Sequence, residues 1–183
     1  MSDDHEALLS SLCQSWHWDS DGEHTITFNS GGTGQLVSRA EMSVWIASQF
    51  TWKAIDSPAT TADNQLAIQI QLTQTRIPPW DSPTFTGRIN EQVLIGEAFV
   101  PKSYLVTIER GSFIAPWDAQ HMRRGAAPKY AFQLTFDQSP YPPRKEWREP
   151  EGGPDTLKIW DKKTFCAGKV ESEEKGWFKS LFQ

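Results

Sequence analysis

Short segments in which apolar and polar residues alternate follow one another along most of the chain. In the segment 66–72, Leu66, Ile68, Ile70 and Leu72 occupy every second position. Because successive side chains of a strand point to opposite faces, this alternation is typical of a half-buried strand. The pattern predicts eight or nine strands, at 16–18, 24–29, 35–40, 44–55, 66–72, 94–100, 103–110, 129–136 and 157–165.

The order of these strands predicts an all-β fold, because no long helical segment separates them. We expect an antiparallel up-and-down barrel over residues 1–170, followed by a tail at 171–183. About eight strands closed into a ring enclose a space that holds either side chains or one small ligand. A barrel therefore predicts a pocket.

Two short helices are expected at the ends of the chain. The segment 3–13 carries an apolar stripe that includes Leu8, Leu9 and Leu12, and we expect it to brace one end of the barrel. In the tail, Trp177, Phe178, Leu181 and Phe182 share one helical face, which gives an amphipathic segment. That face would pack on the barrel or on a second copy of the chain, as in a homodimer.

Three long connections interrupt the strands, at 78–92, 111–128 and 137–155. The first two carry Trp80, Phe85 and Trp117, apolar anchors that a fully solvated loop does not need. Long loops in a compact domain are often functional lids. We expect these two loops to cover the barrel mouth.

Composition and charge exclude several classes of protein. The formal net charge of −5 argues against a nucleic-acid partner, which requires a basic surface. No run of about 18 apolar residues predicts a membrane span, and the polar N-terminus does not resemble a signal peptide. We therefore expect a soluble, cytoplasmic protein. Nine tryptophans and ten phenylalanines suit both a barrel wall and a site for an apolar molecule.

Two cysteines are too few for a disulfide framework, and they lack the spacing of metal ligands. Closure of a barrel nevertheless brings its first and last strands together, which places Cys13 near Cys166. A reducing compartment favours two free thiols over a disulfide.

The chain resembles lipocalin-like (calycin) proteins in three respects. A short helix precedes Ser15-Trp16 at the first strand, the segment 25–34 (TITFNSGGTG) forms a hairpin, and the strands run up and down through Phe165. The resemblance implies a barrel that holds a small hydrophobic molecule, with a basic residue, Lys162 or Lys163, covering Trp16. Proteins of this kind include intracellular cyclases that need no cofactor.

Four residues are the candidate catalytic groups. Arg76 and Arg110 continue the apolar phase of their strands, and a guanidinium can bind a carboxylate, an enolate or a carbonyl through two donors. Tyr104 lies in the inward phase and can donate a hydrogen bond to a substrate oxygen. His121 lies in a loop near Asp118 and is the candidate for proton transfer.

A second set of residues is predicted to bind the substrate, because each is apolar or aromatic and lies either in the inward phase of a strand or in a lid loop. No metal-binding motif accompanies them, so we expect neither a metal nor a cofactor. The set comprises Trp18, Phe50, Trp52, Ile70, Leu72, Trp117, Tyr130 and Phe132.

The sequence predicts a cofactor-free cyclase or isomerase that acts on a hydrophobic intermediate. Holding reactive ends in near-attack geometry, with one or two hydrogen-bond donors, supplies much of such catalysis. The alternatives are a carrier of a hydrophobic small molecule with no turnover, and an interaction module that uses the tail and the Pro-rich segment 140–145.

Overall fold

The computed structural model describes residues 3–123 and 125–171. Eight antiparallel strands form a closed ring in which each strand pairs with its neighbours in sequence, and the last pairs with the first. The prediction of an up-and-down barrel with a short N-terminal helix is confirmed. The elements are α1 Asp3–Leu12, β1 Ser15–His17, β2 His24–Phe28, β3 Thr33–Ala40, β4 Ser43–Ala54, β5 Gln65–Arg76, β6 Lys102–Phe113, α2 Pro116–His121, β7 Lys129–Phe136, α3 Gly153–Leu157 and β8 Thr164–Val170.

Two of the predicted strands are wrong. The segment 94–100 forms a 3-10 turn, Gly96–Phe99, and 157–161 belongs to α3 and a second 3-10 turn, Ile159–Asp161. Both segments are apolar because they pack onto the ring, as buried Leu94 and Ile159 show. A short apolar run does not by itself distinguish a strand from a buried turn.

The two ends of the barrel differ. At one, the helix end, α1 leads into β1 and contacts β6, and Leu12 is fully buried. At the other, the loop end, two long connections, 77–101 and 137–163, lie near the short β3–β4 hairpin. An antiparallel bridge between Leu94 and Trp147 joins these two connections.

The 77–101 connection is fixed on the outer wall of the barrel by the side chain of Asn90. Its amide donates to the Ala47 carbonyl at 3.0 Å and accepts from the Ala47 N–H at 2.9 Å. The two bonds satisfy both backbone groups of a buried β4 residue. They hold the connection over an apolar cluster outside the ring, which includes Val37 and Ile77.

The ring is closed by a single register pair between β1 and β8, His17 with Cys166. The short β1 is supplemented by α2, because the Trp117 N–H donates to the Trp18 carbonyl at 3.1 Å. The Ser20 hydroxyl donates to the Asp118 carboxylate at 3.0 Å. These bonds extend the wall beyond the last residue of β1.

Gly34 lets the aromatic ring of Phe50 lie directly on the β3 backbone. A Cβ atom at position 34 would lie 2.1 Å from Phe50 Cζ and 2.4 Å from the Thr27 carbonyl oxygen. We expect Gly34→Ala to lower the free energy of unfolding by about 2 kcal/mol or more, because the added methyl group would overlap both the Phe50 ring and the Thr27 backbone. Urea unfolding measures the loss.

The matched control for this prediction is Gly31→Ala in the same hairpin, where a Cβ would have no neighbour within 4 Å. Equal stability of the two variants would contradict the close packing at Gly34.

Candidate functional site

The interior of the ring is filled by the chain's own side chains. Among those that point inward, Ile26, Phe28, Ile46, Phe50 and Leu134 are each 0–1% exposed. A void large enough for water would expose the side chains around it. The interior is therefore close-packed where these residues meet, as protein cores are.

Aromatic contacts continue this packing towards the loop end. Tyr104 meets Phe136 edge-on at 5.8 Å between ring centroids, Phe136 meets Phe165 at 5.9 Å, and Phe165 meets Tyr141 at 6.3 Å. Such edge-on and tilted pairs are favourable for aromatic rings. The Tyr141 hydroxyl donates to the Val37 carbonyl at 2.6 Å, so this buried polar group is satisfied.

A polar cluster closes the loop end next to Trp18. The Lys162 ammonium lies 3.9 Å from the centroid of the Trp18 ring and donates to the Leu157 carbonyl. Lys162 is the basic residue that the sequence resemblance implied, but it covers Trp18, whereas Trp16 donates its indole N–H to the Leu12 carbonyl at 2.9 Å. The ammonium thus gains both a cation–π contact and a hydrogen bond.

Burial controls the ionisation of this cluster. Burial lowers the pKa of His24 to about 3, and the charges of Lys162 and Arg39 act in the same direction. Burial also lowers the pKa of Lys162 to about 8, against the opposite effect of Asp19 and Asp161. At neutral pH, His24 is an uncharged ring whose Nδ1 lies 3.2 Å from the Ser38 hydroxyl.

The predicted catalytic arginines lie at opposite ends of the barrel. Arg76 is the last residue of β5, at the loop end, where it contacts Glu91 at 3.8 Å and donates to Gln92 at 3.3 Å. Arg110 is exposed near the end of β6 at the helix end, with its guanidinium 5.2 Å from the centroid of the Phe132 ring. The structure therefore does not bring the two guanidinium groups together.

His121, Trp117 and Trp18 do come together, outside the ring interior. The His121 ring stacks on Trp117 with 3.5 Å between the ring centroids, and the centroids of Trp117 and Trp18 are 5.7 Å apart. His121 is exposed, and its Nδ1 lies 2.9 Å from the Trp117 carbonyl oxygen. Asp118 is buried, and its Oδ2 has no hydrogen-bond partner within the described residues.

The remaining predicted binding residues are spread through the wall and the core. Phe50, Ile70 and Leu72 belong to the packed interior, and half-buried Phe132 packs against it. Trp52 donates its indole N–H to the carbonyls of Asn29 and Thr33, at 3.1 Å each. Tyr130 lies in a separate small cluster with Ala115 and Cys166, where burial raises its pKa to about 12.

Tyr104, a predicted catalytic residue, lines a cleft. This cleft, the tyrosine cleft, has a volume of about 420 Å³ and opens at the loop end between the start of β6 and the 137–163 connection. Burial raises the pKa of Tyr104, and the nearby carboxylates of Glu146 and Asp137 act in the same direction. The hydroxyl keeps its proton at neutral pH. The lining of the tyrosine cleft comprises Lys102, Ser103, Tyr104, Gln138, Ser139, Tyr141, Pro143, Lys145, Glu146 and Trp160.

Sequence reasoning missed the ion pair in the wall of this cleft. The Lys102 ammonium binds the carboxylate of Glu146, which is only 8% exposed. The two residues are 44 positions apart, and Glu146 lies in a run of charged residues that reads as solvated surface. Only the abundance of prolines and aromatics around Glu146 distinguishes that run from an ordinary exposed loop.

Other expectations from the sequence have simple outcomes. Cys13 and Cys166 are both free thiols, and burial raises the pKa of Cys166 to about 11.

Within residues 3–123 and 125–171, no group of three or more His, Cys, Asp or Glu side chains is placed to hold a metal ion. No helix in the same ranges has the length and apolar character needed to cross a membrane. The amphipathic segment of the tail lies outside the described residues.

No family model matches the chain, and neither a curated protein nor a solved structure is significantly similar to it.

We predict that His24 makes the fold sensitive to acid. The unfolded chain takes up a proton near pH 6.5, whereas folded His24 resists protonation down to about pH 3. The free energy of unfolding therefore contains the full contribution of neutral His24 above pH 6.5. Below pH 6.5 it decreases as the pH falls, by up to about 1.4 kcal/mol per pH unit. Urea unfolding between about pH 4 and about pH 7 measures this slope.

His24→Asn should give a shallower slope, because no imidazole remains to be protonated. His5→Asn, in α1, controls for the loss of a histidine as such. The same slope in the wild type and in His24→Asn would contradict the assignment.

Proposed function

We propose that the protein binds a small, largely apolar molecule with a hydrogen-bond acceptor, and that the molecule occupies the tyrosine cleft. The observation that carries the proposal is Tyr104, which lines a cleft of about 420 Å³ and whose hydroxyl keeps its proton at neutral pH. Small-molecule sites usually have volumes of about 300–1,000 Å³, apolar walls and a few convergent polar groups.

The walls of the cleft provide both parts of such a site. Trp160 and Pro143 offer apolar surface, and Trp160 is supported from behind by Trp147, with 6.0 Å between the ring centroids. Tyr141 contributes its ring only, because its hydroxyl is already bonded to Val37. The Tyr104 hydroxyl keeps its proton, and we propose that it donates a hydrogen bond to the ligand.

Three charged side chains line the cleft, and we propose an uncharged ligand because two of them are paired and the third, Lys145, is exposed to solvent, where its charge is screened. Lys102 and Glu146 neutralise each other, so a bound ion would have to compete with an existing partner. A carbonyl oxygen, by contrast, can accept from the Tyr104 hydroxyl without breaking that pair. A ring ketone fits these requirements.

Binding without turnover is the function that this arrangement supports best. The predicted cyclase would use Arg76, Arg110 and His121 together with Tyr104, but the two arginines lie at opposite ends of the barrel and none of the first three residues lines the tyrosine cleft. One proton donor beside a neutralised ion pair is sufficient to orient a ligand. The protein is then a carrier or sensor of its ligand.

A lipocalin-like relationship is part of the proposal. It is supported by the up-and-down ring of eight strands, the helix at one end and the basic residue over a tryptophan near the first strand. A shared fold does not determine the function, so the relationship adds nothing to the choice of ligand.

We predict that Tyr104→Phe weakens binding of a ring ketone, 1-tetralone, by about threefold to tenfold, the usual net value of one hydrogen bond. Binding of tetralin, which lacks the carbonyl, should stay unchanged. Chemical-shift titration of the indole N–H of Trp160 measures both affinities and locates the probe.

Thr107→Val removes a hydroxyl from the same strand, at a position that does not line the cleft, and is the matched control. An equal affinity of the wild type and Tyr104→Phe for 1-tetralone would contradict the proposed donor. Shifts confined to residues away from Trp160 would contradict the proposed site.

Incubation with metabolite extract from the native host separates binding from turnover. We expect a compound that is retained by the protein and released with its mass and retention time unchanged. Release at unchanged mass with a new retention time would contradict the carrier and support the isomerase.

A further inference from the structure

A second cleft lies on the other side of the segment that carries Glu146. It has a volume of about 390 Å³ and opens between the β3–β4 hairpin and the two long connections of the loop end. Glu146 lines the tyrosine cleft, whereas Trp147 and Arg148 line this second one, here called the arginine cleft. The two clefts are thus separate sites on one segment.

Aromatic side chains form the floor of the arginine cleft, and glycines hold two of them in place. Trp45 lies against Gly153, where a Cβ would be 2.3 Å from the indole Cζ2. Phe85 lies over Gly87, where a Cβ would be 2.4 Å from the ring Cζ. Any larger residue at either glycine would displace an aromatic ring, so the shape of the floor depends on both.

Arg148 is fixed at the edge of this floor by the backbone of the 77–101 connection. Its Nε donates to the carbonyls of Leu94 at 3.0 Å and Glu91 at 3.3 Å, and its backbone N–H donates to the Val93 carbonyl at 2.9 Å. These bonds restrict the guanidinium before any ligand arrives, which lowers the entropic cost of binding. The terminal nitrogens of the guanidinium are not used by these bonds.

The carboxylates around Arg148 already have partners. Glu149 pairs with Arg88 at 3.4 Å, and Glu151 pairs with Arg144 at 3.5 Å. Within the described ranges, no carboxylate lies within 4.0 Å of the Arg148 guanidinium. Arg148 therefore offers a positive charge beside an aromatic surface.

We infer that the arginine cleft binds a planar molecule that carries a carboxylate. The apolar body of the ligand would lie on Trp45 and Phe85, and the carboxylate would accept from the terminal nitrogens of Arg148. Arginine suits this role because its fork of donors matches the two oxygens of a carboxylate. The inference is independent of the tyrosine cleft, which takes an uncharged ligand.

The test compares two probes that differ in charge, 2-naphthoate and 2-naphthalenemethanol. We expect both to shift the indole N–H resonance of Trp45, and 2-naphthoate to bind at least about tenfold more tightly, as a charge-assisted bond predicts. Arg148→Gln should abolish this preference and leave binding of the alcohol unchanged. Arg123→Gln, an exposed arginine in the β6–β7 connection, is the matched control.

A second variant tests the same cleft without changing Arg148, because Arg148→Gln could also disturb the loop locally. Trp45→Ala removes part of the aromatic floor and should weaken binding of both probes by about tenfold, with Arg148 intact; the indole N–H of Trp147, which also lines the cleft, reports binding in this variant. Equal affinity of the two probes for the wild type would overturn the inference, and so would a preference that survives Arg148→Gln. Shifts at Trp160 in place of Trp45 would show that the probes occupy the tyrosine cleft, which also overturns it.

Discussion

The packing of side chains inside the strand ring is the constraint on which the rest of this structure depends. Eight strands enclose a space that is just wide enough for side chains. Phe28, Phe50 and Leu134, each at most 1% exposed, show that the chain fills that space itself. We therefore place the proposed ligands where the strands end and the long connections begin. Both clefts that carry our proposals lie there.

The loop end can hold two clefts because its long connections support each other. The bridge between Leu94 and Trp147 joins them, and the Asn90 amide fixes the first connection to β4. The contact of Lys162 with Trp18 closes the barrel next to the short β1. This contact and the hydrogen bond from the Trp117 N–H to the Trp18 carbonyl lie directly beyond the last residue of β1.

Most of the strands were predictable from the sequence because alternation reports which side chains face the core, whereas the apolar segments 94–100 and 157–161 fold as turns and a short helix. The same reasoning placed Tyr104 on the inner face of its strand, where it is buried. It paired Arg76 with Arg110, however, without considering strand direction. Because β5 and β6 are antiparallel, the last residues of these two strands lie at opposite ends of the barrel. The pair of Lys102 with Glu146 was not predictable, since it depends on how the 137–163 connection folds back onto β6.

Xenon binding tests the central claim, that the ring interior is filled, most directly. Xenon enters apolar cavities that are too dry for water, so it detects space that other ligands miss. In crystals under xenon pressure, we predict no xenon within the ring among Ile26, Phe28, Phe50 and Leu134. A xenon atom in contact with these side chains would contradict the account and return the interior to consideration as the ligand site.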